Sequence, residues 1–352
     1  MAFSTLIMSF LNDNNWKDKI SHTTQIGGIE TSILDNGLGK GTRIAWINTG
    51  TGLRFKVVLD RGMDIVDAFF NEHSLAWISH NGVTAPQPFS DEGIDWLKTF
   101  SGGLLTTCGL SNVGGPNEDE FGKRGLHGRV SNISAEIESI IQPDPLVGKM
   151  DMSITGIIKE STVFGSNLEL RRTISCTLGT SEIRISDEVI NRGNTTVPVM
   201  VLYHVNFGYP LVDEDSKINW DGDWKARDTK SEDIFKDGND FKTCPPPLAD
   251  HDGPGEAAAY IEMNTDSEGF SNCGISNEKI NLAVNLKYKK DQLPAFCNWQ
   301  HWGKGEYVTG LEPGTNLPIG QKQAREDGTL QFLKPFESKK IDLAFNISTV
   351  KE

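Results

Sequence analysis

The sequence lacks the marks of several large classes of protein. Its 352 residues contain no apolar run of roughly 20 residues, the length that a helix needs to cross a bilayer. The five cysteines are scattered and include no Cys-x-x-Cys pair, so neither a disulfide scaffold nor a zinc knuckle is indicated. These absences predict a protein of a reducing compartment, and we expect it in the cytoplasm without a membrane partner.

Basic charge is also scarce. Lys and Arg total 34 against 48 Asp and Glu, which gives a formal net charge of −14. An acidic surface repels phosphate backbones, and no basic cluster with interleaved aromatic residues occurs, so nucleic acid is not an expected partner. Residues 1–12 contain apolar side chains but no preceding Lys or Arg and no small-residue cleavage site. We therefore do not interpret this segment as a signal peptide.

Several catalytic signatures are missing as well. The sequence has no Gly-x-Ser-x-Gly elbow and no dinucleotide-binding Gly-x-Gly-x-x-Gly after a strand, so acyl transfer and hydride transfer lack support. None of the seven histidines forms a His-x-His pair. The scattered residues His127, His204 and Glu312 could form a two-His, one-carboxylate metal site, but we expect no metal and no cofactor.

Helical periodicity is rare, and a period of two dominates. Apolar residues alternate with polar ones over residues 53–59, 168–178, 280–288 and 341–347, as in strands that are covered on one face. Clusters of Gly, Asn, Asp and Pro separate these runs and supply turns. A single short helix is predicted over residues 91–100. The pattern predicts an all-β fold, an antiparallel sandwich or barrel with few short helices.

Two features depart from this pattern. Arg172 falls on the apolar face of the 168–178 run, where its guanidinium either reaches water at the strand end or forms a buried ion pair. Residues 213–255 contain many Asp residues and few alternating apolar ones, as in a rim loop over a site or a mobile insertion. No repeat or low-complexity linker divides the chain, so we predict one domain over residues 1–352.

Three segments bring acid–base groups into apolar or glycine-rich surroundings. The run Gly-Leu-His-Gly-Arg at 125–129 places His127 between glycines, although it also fits a surface loop with an incidental histidine. His204 ends an apolar strand, and Glu312 lies in the run Gly-Leu-Glu-Pro. Two imidazoles and one carboxylate can form a general acid–base set.

Other residues favour a sugar ligand. Charged planar groups such as Arg61 and Asp64 bridge neighbouring hydroxyls, although the two could equally form a structural pair at a strand end. Tryptophans such as Trp77 and Trp299 stack on the C–H faces of sugars, although tryptophans are more often part of a core. The candidate sugar ligands are Arg61, Asp64, Trp77, Asn112, Arg129 and Trp299.

Arg129 follows His127 by two residues. On a strand this spacing puts both side chains on one face of the sheet, so Arg129 is expected to line the site. A guanidinium there would bind the carboxylate, sulfonate or phosphate of an anionic sugar, or would pair with a carboxylate of the site itself.

Taken together, the segments resemble the galactose mutarotase superfamily, the aldose 1-epimerases, and most closely its branch of uncharacterised aldose 1-epimerase-like bacterial proteins. The resemblance runs from about residue 27 to residue 348. Its most specific pieces are Asp-Arg-Gly-Met-Asp-Ile at 60–65, the glycine-rich run at 102–110, Leu-His-Gly-Arg at 126–129, Tyr-His-Val-Asn at 203–206 and Gly-Leu-Glu-Pro at 310–313. It implies a large twisted antiparallel β-sandwich with a sugar cleft across one concave sheet.

The resemblance also implies roles for three residues. His127 would hold the sugar near its ring oxygen, His204 would act as the general acid towards that oxygen, and Glu312 would take the proton of the anomeric hydroxyl. The chain differs from the galactose-type enzymes around both histidines, with Tyr-His-Val-Asn in place of His-Pro-Tyr-Phe and with Arg129 after His127. The sugar is therefore not fixed as galactose.

These observations predict an aldose 1-epimerase that interconverts the anomers of a free sugar, including an oxidised or otherwise anionic one. Two other classes stay open. One is a carbohydrate-binding or sensing protein that has kept the cleft and lost turnover. The other is a sugar isomerase or lyase on the same scaffold, in which Glu312 removes a carbon-bound proton.

Overall fold

The structure, a computed structural model, describes residues 14–350 of the chain. Residues 1–12, for which the sequence argues against a signal peptide, lie outside the described residues. Within residues 14–350 no helix is long and apolar enough to span a membrane. Antiparallel strands, numbered β1–β22 in chain order, account for most of the regular structure.

The N-terminal part of the described chain forms a five-stranded sheet of consecutive strands. Its strands are β1 (Gly28–Ile33), β2 (Arg43–Asn48), β3 (Leu53–Val58), β4 (Asp64–Phe70) and β5 (His73–Ser74). In β3 every second side chain is buried, with Leu53, Phe55 and Val57 in the core, as the alternation predicts. This sheet therefore contributes one apolar face to the core.

A larger sheet of eight strands supplies the outer layer of the sandwich. Across the sheet its strands are β14 (Lys217–Trp220), β17 (Phe270–Asn277), β18 (Leu282–Lys289), β22 (Ser338–Ser348), β12 (Glu182–Asn191), β11 (Asn167–Thr177), β10 (Asp151–Ser161) and β9 (Glu136–Ile141). All neighbouring pairs are antiparallel.

The remaining large sheet has seven strands, of which six lie in one consecutive order and the seventh pairs with one of these six. Across this sheet lie β15 (Gly222–Ala226), β16 (Ala257–Met263), β19 (Ala295–Gly303), β20 (Glu306–Gly314), β13 (Val197–Phe207) and β21 (Gln331–Leu333), with β6 (Thr106–Leu110) also paired to β13. We call it the site sheet. One of its faces packs on the eight-stranded sheet in a shared apolar core, and the opposite face carries a second, smaller apolar cluster that includes Met200 and Leu202.

Short elements connect these layers. The hairpin β7 (Asn117–Asp119) and β8 (Gly122–Arg124) stands apart from the large sheets, and α1 (Gln321–Glu326) follows β20. The short 3-10 helices are Asn14–Lys19, Thr23–Gln25, Gly37–Gly39, Asp95–Lys98, Val130–Asn132, Pro145–Val147, Ser231–Asp233 and Ala249–His251.

The predicted antiparallel β-sandwich with few short helices is confirmed. A short helix lies within the segment predicted over residues 91–100, but it covers only Asp95–Lys98 and is a 3-10 helix without a side-chain cap. The residues before Asp95 do not extend this helix, because Gly93 has a positive φ and its carbonyl accepts a hydrogen bond from the backbone N–H of Leu126. Residues 213–255 contain β14 and β15 besides irregular chain, and the assignment of residues 1–352 to one domain stays a prediction.

Arg172 forms a buried ion-pair network at the centre of the sandwich. Its side chain is fully buried and donates to Asp187, with Nη2 2.7 Å from Oδ2, and to Asp64, with Nη1 3.1 Å from Oδ1. The hydroxyl of Tyr203 donates to the same Asp187 oxygen, and Thr107 donates to Asp64. Of the two possibilities for Arg172, the structure has the buried pair.

Replacing Arg172 by Met should destabilise the protein by about 3–5 kcal/mol, because two buried carboxylates then lose their counter-charge. Arg171→Met is the matched control, since the neighbouring Arg171 pairs with Glu138 on the exposed face and that pair is screened by water. Urea unfolding of both variants measures the difference. Equal free energies of unfolding would contradict a central role for the network.

Candidate active site

Alternation along two neighbouring strands of the site sheet brings an imidazole and a carboxyl together. On β13 the odd-numbered residues such as Tyr203 enter the core, so His204 points to the opposite face. Val205 pairs with Leu311 on β20, which sets Glu312 on the same face. Nε2 of His204 lies 3.2 Å from Oε1 of Glu312, and both side chains are buried.

His127 approaches this pair from a tight turn. Its φ is +56° and that of Gly128 is +64°, a conformation that suits the glycine and strains other residues. A Cβ on Gly128 would lie 2.5 Å from the carbonyl oxygen of Gly109, so the position requires glycine. The ring centroids of His127 and His204 are 6.0 Å apart. The turn thus delivers a third titratable group to the same cavity.

Aromatic rings close the walls of the site. The rings of Trp299 and Phe100 lie 5.4 and 5.3 Å from the His204 ring, and Trp96 lies 4.7 Å from His127. Together with His204, His127 and Glu312 they enclose a cavity of about 350 Å³. A cavity of this size, mostly apolar with a few convergent polar groups, is typical of a small-molecule site.

Two residues that sequence reasoning missed line the same cavity. Glu256 accepts a hydrogen bond from Nε1 of Trp299 at 2.8 Å and pairs with Arg227, whose Nη2 is 2.8 Å from Oε1. Arg227 belongs to the segment predicted as a rim, and Glu256 follows directly after it. The pairing of β15 with β16 brings the two together, and no local motif announces it.

Burial sets the protonation of the three central groups. Burial and, to a smaller extent, the nearby carboxylate of Glu256 raise the pKa of Glu312 to about 8, against the lowering effect of Arg227. Burial lowers the pKa of His204 to about 4 and that of His127 to about 3. Between about pH 4 and pH 8, Glu312 is therefore protonated and His204 is uncharged, so the pair carries one titratable proton.

A backbone hydrogen bond orients the ring of His127, whereas Nδ1 of His204 has no hydrogen-bond partner within the described chain. The backbone N–H of Gly114 donates to Nδ1 of His127 at 3.3 Å, so in the neutral ring the proton is on Nε2. The side chain of Asn206 lies beside His204 and raises its pKa, although burial is the larger effect. Oε1 of Glu312 makes no aligned hydrogen bond within the described chain and is free to accept one from a ligand.

Arg61 and Asp64 do not line the cavity, which corrects their interpretation as sugar ligands. The guanidinium of Arg61 is buried and donates to the backbone carbonyls of Ser131, Thr84 and Thr99. Asp64 faces inward as part of the Arg172 network. Both residues are therefore part of the scaffold, although they bind these separate partners and do not form the Arg–Asp pair that the sequence alternative described.

Arg129 is also directed away from the cavity, which corrects the expectation that it shares a face with His127. That expectation required a strand, whereas the chain turns at His127 and Gly128 with positive φ. The guanidinium instead donates to the carbonyls of Pro88 and Ser161. The basis for an anionic sugar at Arg129 is thereby lost.

Asn112 and Trp77 support the site from outside it, whereas Trp299 lines the cavity as expected. The amide of Asn112 is buried, donates to the carbonyl of Gly125 at 2.7 Å, and so holds the His127 turn. Trp77 packs edge-on against Trp299 with 6.4 Å between ring centroids. Neither Asn112 nor Trp77 is among the residues of the cavity wall.

The described part of the chain contains no group of three or more His, Cys, Asp or Glu side chains placed to hold a metal ion. His127, His204 and Glu312 meet in one cavity, but their donor atoms do not form such a group. The absence of a metal and of a cofactor stays a prediction.

Comparison with solved structures shows the same fold in several proteins. A provisionally named aldose 1-epimerase from Klebsiella pneumoniae has a TM-score of 0.80 at 21% identity, with 91% of this chain and 83% of that chain covered. A galactose mutarotase-like protein from Clostridium acetobutylicum has a TM-score of 0.63 at 12% identity, covering 92% and 98%. A galactose 1-epimerase from Lactobacillus acidophilus has a TM-score of 0.58 at 12% identity, with 91% of this chain and 98% of that chain covered.

These likenesses define the class of the fold, a galactose mutarotase-like β-sandwich, and confirm the predicted resemblance to that superfamily. The chain belongs to the family described as Domain of unknown function (DUF4432), whose family model matches residues 39–347. No curated protein matches the sequence.

We expect a carboxyl group of the free protein to titrate near pH 8 in ¹³C NMR of labelled glutamate, and this titration to be missing from Glu312→Gln. Because burial raises the pKa of Glu312 above its unfolded value of about 4.3, its neutral form favours folding and this contribution is lost as pH rises through 8. At pH 9 Glu312→Gln should therefore be more stable than the wild type by at least about 1 kcal/mol.

The control for this titration is Glu306→Gln, which alters a half-exposed carboxylate on the same strand. It should retain the signal near pH 8. If Glu312 instead titrates near pH 4, the buried carboxyl described above is not neutral in the free protein.

Proposed function

We propose that the protein is a mutarotase-type aldose 1-epimerase that interconverts the anomers of a sugar by general acid–base catalysis. The observation that carries the proposal is the contact of 3.2 Å between Nε2 of His204 and Oε1 of Glu312 at the wall of a buried cavity. Burial moves the pKa values of the two groups in opposite directions. Pairs of this kind serve as acid and base.

The reaction requires a pair that carries one titratable proton, because one of the two groups has to act as the acid while the other acts as the base. Glu312 takes the proton of the anomeric hydroxyl, the bond between C1 and the ring oxygen breaks, and His204 gives a proton to that oxygen. Rotation about C1–C2 and closure in the reverse sense produce the other anomer. Transfer of a proton from Glu312 to His204 converts the resting pair, with neutral Glu312, into the reactive one.

The other cavity residues bind and orient the ring. His127 is neutral and carries its proton on Nε2, so it donates a hydrogen bond to a sugar oxygen without competing as an acid. The rings of Trp299 and Phe100 offer apolar faces to the C–H groups of the sugar. Glu256 and Arg227 can bind hydroxyls at the far side of the cavity.

Two alternatives make different forecasts. A binding protein without turnover would hold sugars while leaving their anomer exchange at the solution rate. An isomerase or lyase would exchange a carbon-bound hydrogen with solvent deuterium, which mutarotation does not do. One NMR experiment on a panel of aldoses in D₂O measures both the rate of anomer exchange and the incorporation of deuterium at carbon.

Glu312→Gln should bind sugar within a few-fold of the wild type and lose about 10²- to 10⁴-fold in the rate of anomer exchange, because a general base contributes that much. His204→Asn should lose a similar factor, and the double variant little more, since both groups act in one step. Exchange spectroscopy on D-glucose, D-galactose and D-xylose measures the rates. Glu306→Gln is the matched control, and wild-type exchange in folded Glu312→Gln would refute the assignment.

The pH profile of kcat/KM should be bell-shaped. Below about pH 4 both His204 and Glu312 are protonated and no base is left, whereas above about pH 8 both are deprotonated and no acid is left. Activity is therefore lost on either side of a window between those values. A rate that keeps rising through pH 9 would point to a single base without an acid.

A further inference from the structure

A second cavity, of about 1000 Å³, adjoins the candidate active site. Arg227 and Glu256 line both cavities, so their ion pair forms a wall that the two share. The other walls come from residues 228–234 and 248–255, all of them in the segment 213–255 that the sequence predicted as a rim. This segment therefore builds a space that borders the candidate active site at Arg227 and Glu256.

The second cavity is well anchored to the site sheet. Asp228 accepts hydrogen bonds from the backbone and hydroxyl of Ser231, and pairs with Nε of Arg227. The hydroxyl of Ser231 in turn accepts a hydrogen bond from the backbone N–H of Ala258 on β16. The wall formed by residues 228–231 is thus held by hydrogen bonds before any ligand binds.

The lining suits an uncharged ligand that is rich in hydroxyls. Two cationic side chains face five carboxylates, so the cavity repels an anion and offers many hydrogen-bond acceptors. Partly buried Leu248 and Ile234 add apolar surface against which C–H groups can pack. The charged lining residues are Arg227, Lys230, Asp228, Asp233, Asp250, Asp252 and Glu256.

We propose that this second cavity binds a further, uncharged sugar unit attached to the reacting ring, so that the substrate is a reducing disaccharide or a longer reducing oligosaccharide. The proposal rests on the function proposed above, since the reacting ring occupies the cavity of His204 and Glu312. The shared wall of Arg227 and Glu256 then lies at the junction between the two sugar units and contacts both.

Calorimetry on paired ligands tests this proposal without relying on turnover. Each reducing disaccharide is compared with its own reducing-end monosaccharide: cellobiose and lactose with glucose, galactobiose with galactose, and xylobiose with xylose. At least one disaccharide should bind about tenfold or more tightly than its monosaccharide, the effect of one or two added hydrogen bonds. If no pair shows this preference, the proposal is overturned.

A blocking variant locates the effect. Thr229→Trp places a large ring in the second cavity at an exposed position, and Thr31→Trp makes the same change on an exposed position of β1, far from either cavity. In Thr229→Trp the preference for the disaccharide should fall to about onefold, while monosaccharide binding and exchange stay at wild-type levels. Thr31→Trp should keep the preference. A preference that survives Thr229→Trp would overturn the proposal.

The charge of the ligand provides an independent test of the second cavity. A disaccharide with a glucuronate at its non-reducing end should bind at least about tenfold more weakly than cellobiose, because the cavity carries excess negative charge. Tighter binding of the acid would overturn the assignment of an uncharged unit. Anomer exchange is recorded on the same samples. If the protein prefers the disaccharide but does not accelerate exchange, the proposed epimerase activity is refuted and the second sugar site is not. If it accelerates exchange without preferring any disaccharide, the second sugar site is refuted and the epimerase activity is not.

Discussion

The buried charge of Arg172 is the constraint on which the rest of the structure depends. A guanidinium without access to water has to be neutralised, and each of its carboxylate partners belongs to a different sheet: Asp187 to β12 and Asp64 to β4. Asp187 also binds Tyr203, and Tyr203 pairs with Thr107, which binds Asp64. The network therefore ties β13 of the site sheet to strands of the two other large sheets, one residue from His204.

Sequence reasoning selected His204 and Glu312 because each is a titratable group within an apolar run. Both residues line the cavity, but the strand pairing that brings them together was not predicted. Residue spacing failed at Arg129, because two residues share a face only on a strand and this chain turns at His127. Arg61 failed for a different reason, since a guanidinium that satisfies buried carbonyls has the same local sequence as one that binds a ligand.

Arg227 and Glu256 could not be predicted, because they meet only through the register of β15 and β16. Their positions lie in or beside a segment with no periodicity, and a charged residue in such a segment is ordinarily solvated. The same limit applies to protonation. The residue types alone allow Glu312 to be a carboxylate, and only its burial on the site sheet makes it a neutral acid in the free protein.

The two cavities occupy different parts of the site sheet. The acid–base pair is on β20 and β13, in the interior of the sheet, whereas Arg227 and the second cavity are attached to β15 and β16 at its edge. An edge strand has one neighbour, so insertions and substitutions there disturb fewer contacts than changes in the interior do. The edge of the site sheet can therefore be remodelled while His204 and Glu312 keep their places on β13 and β20.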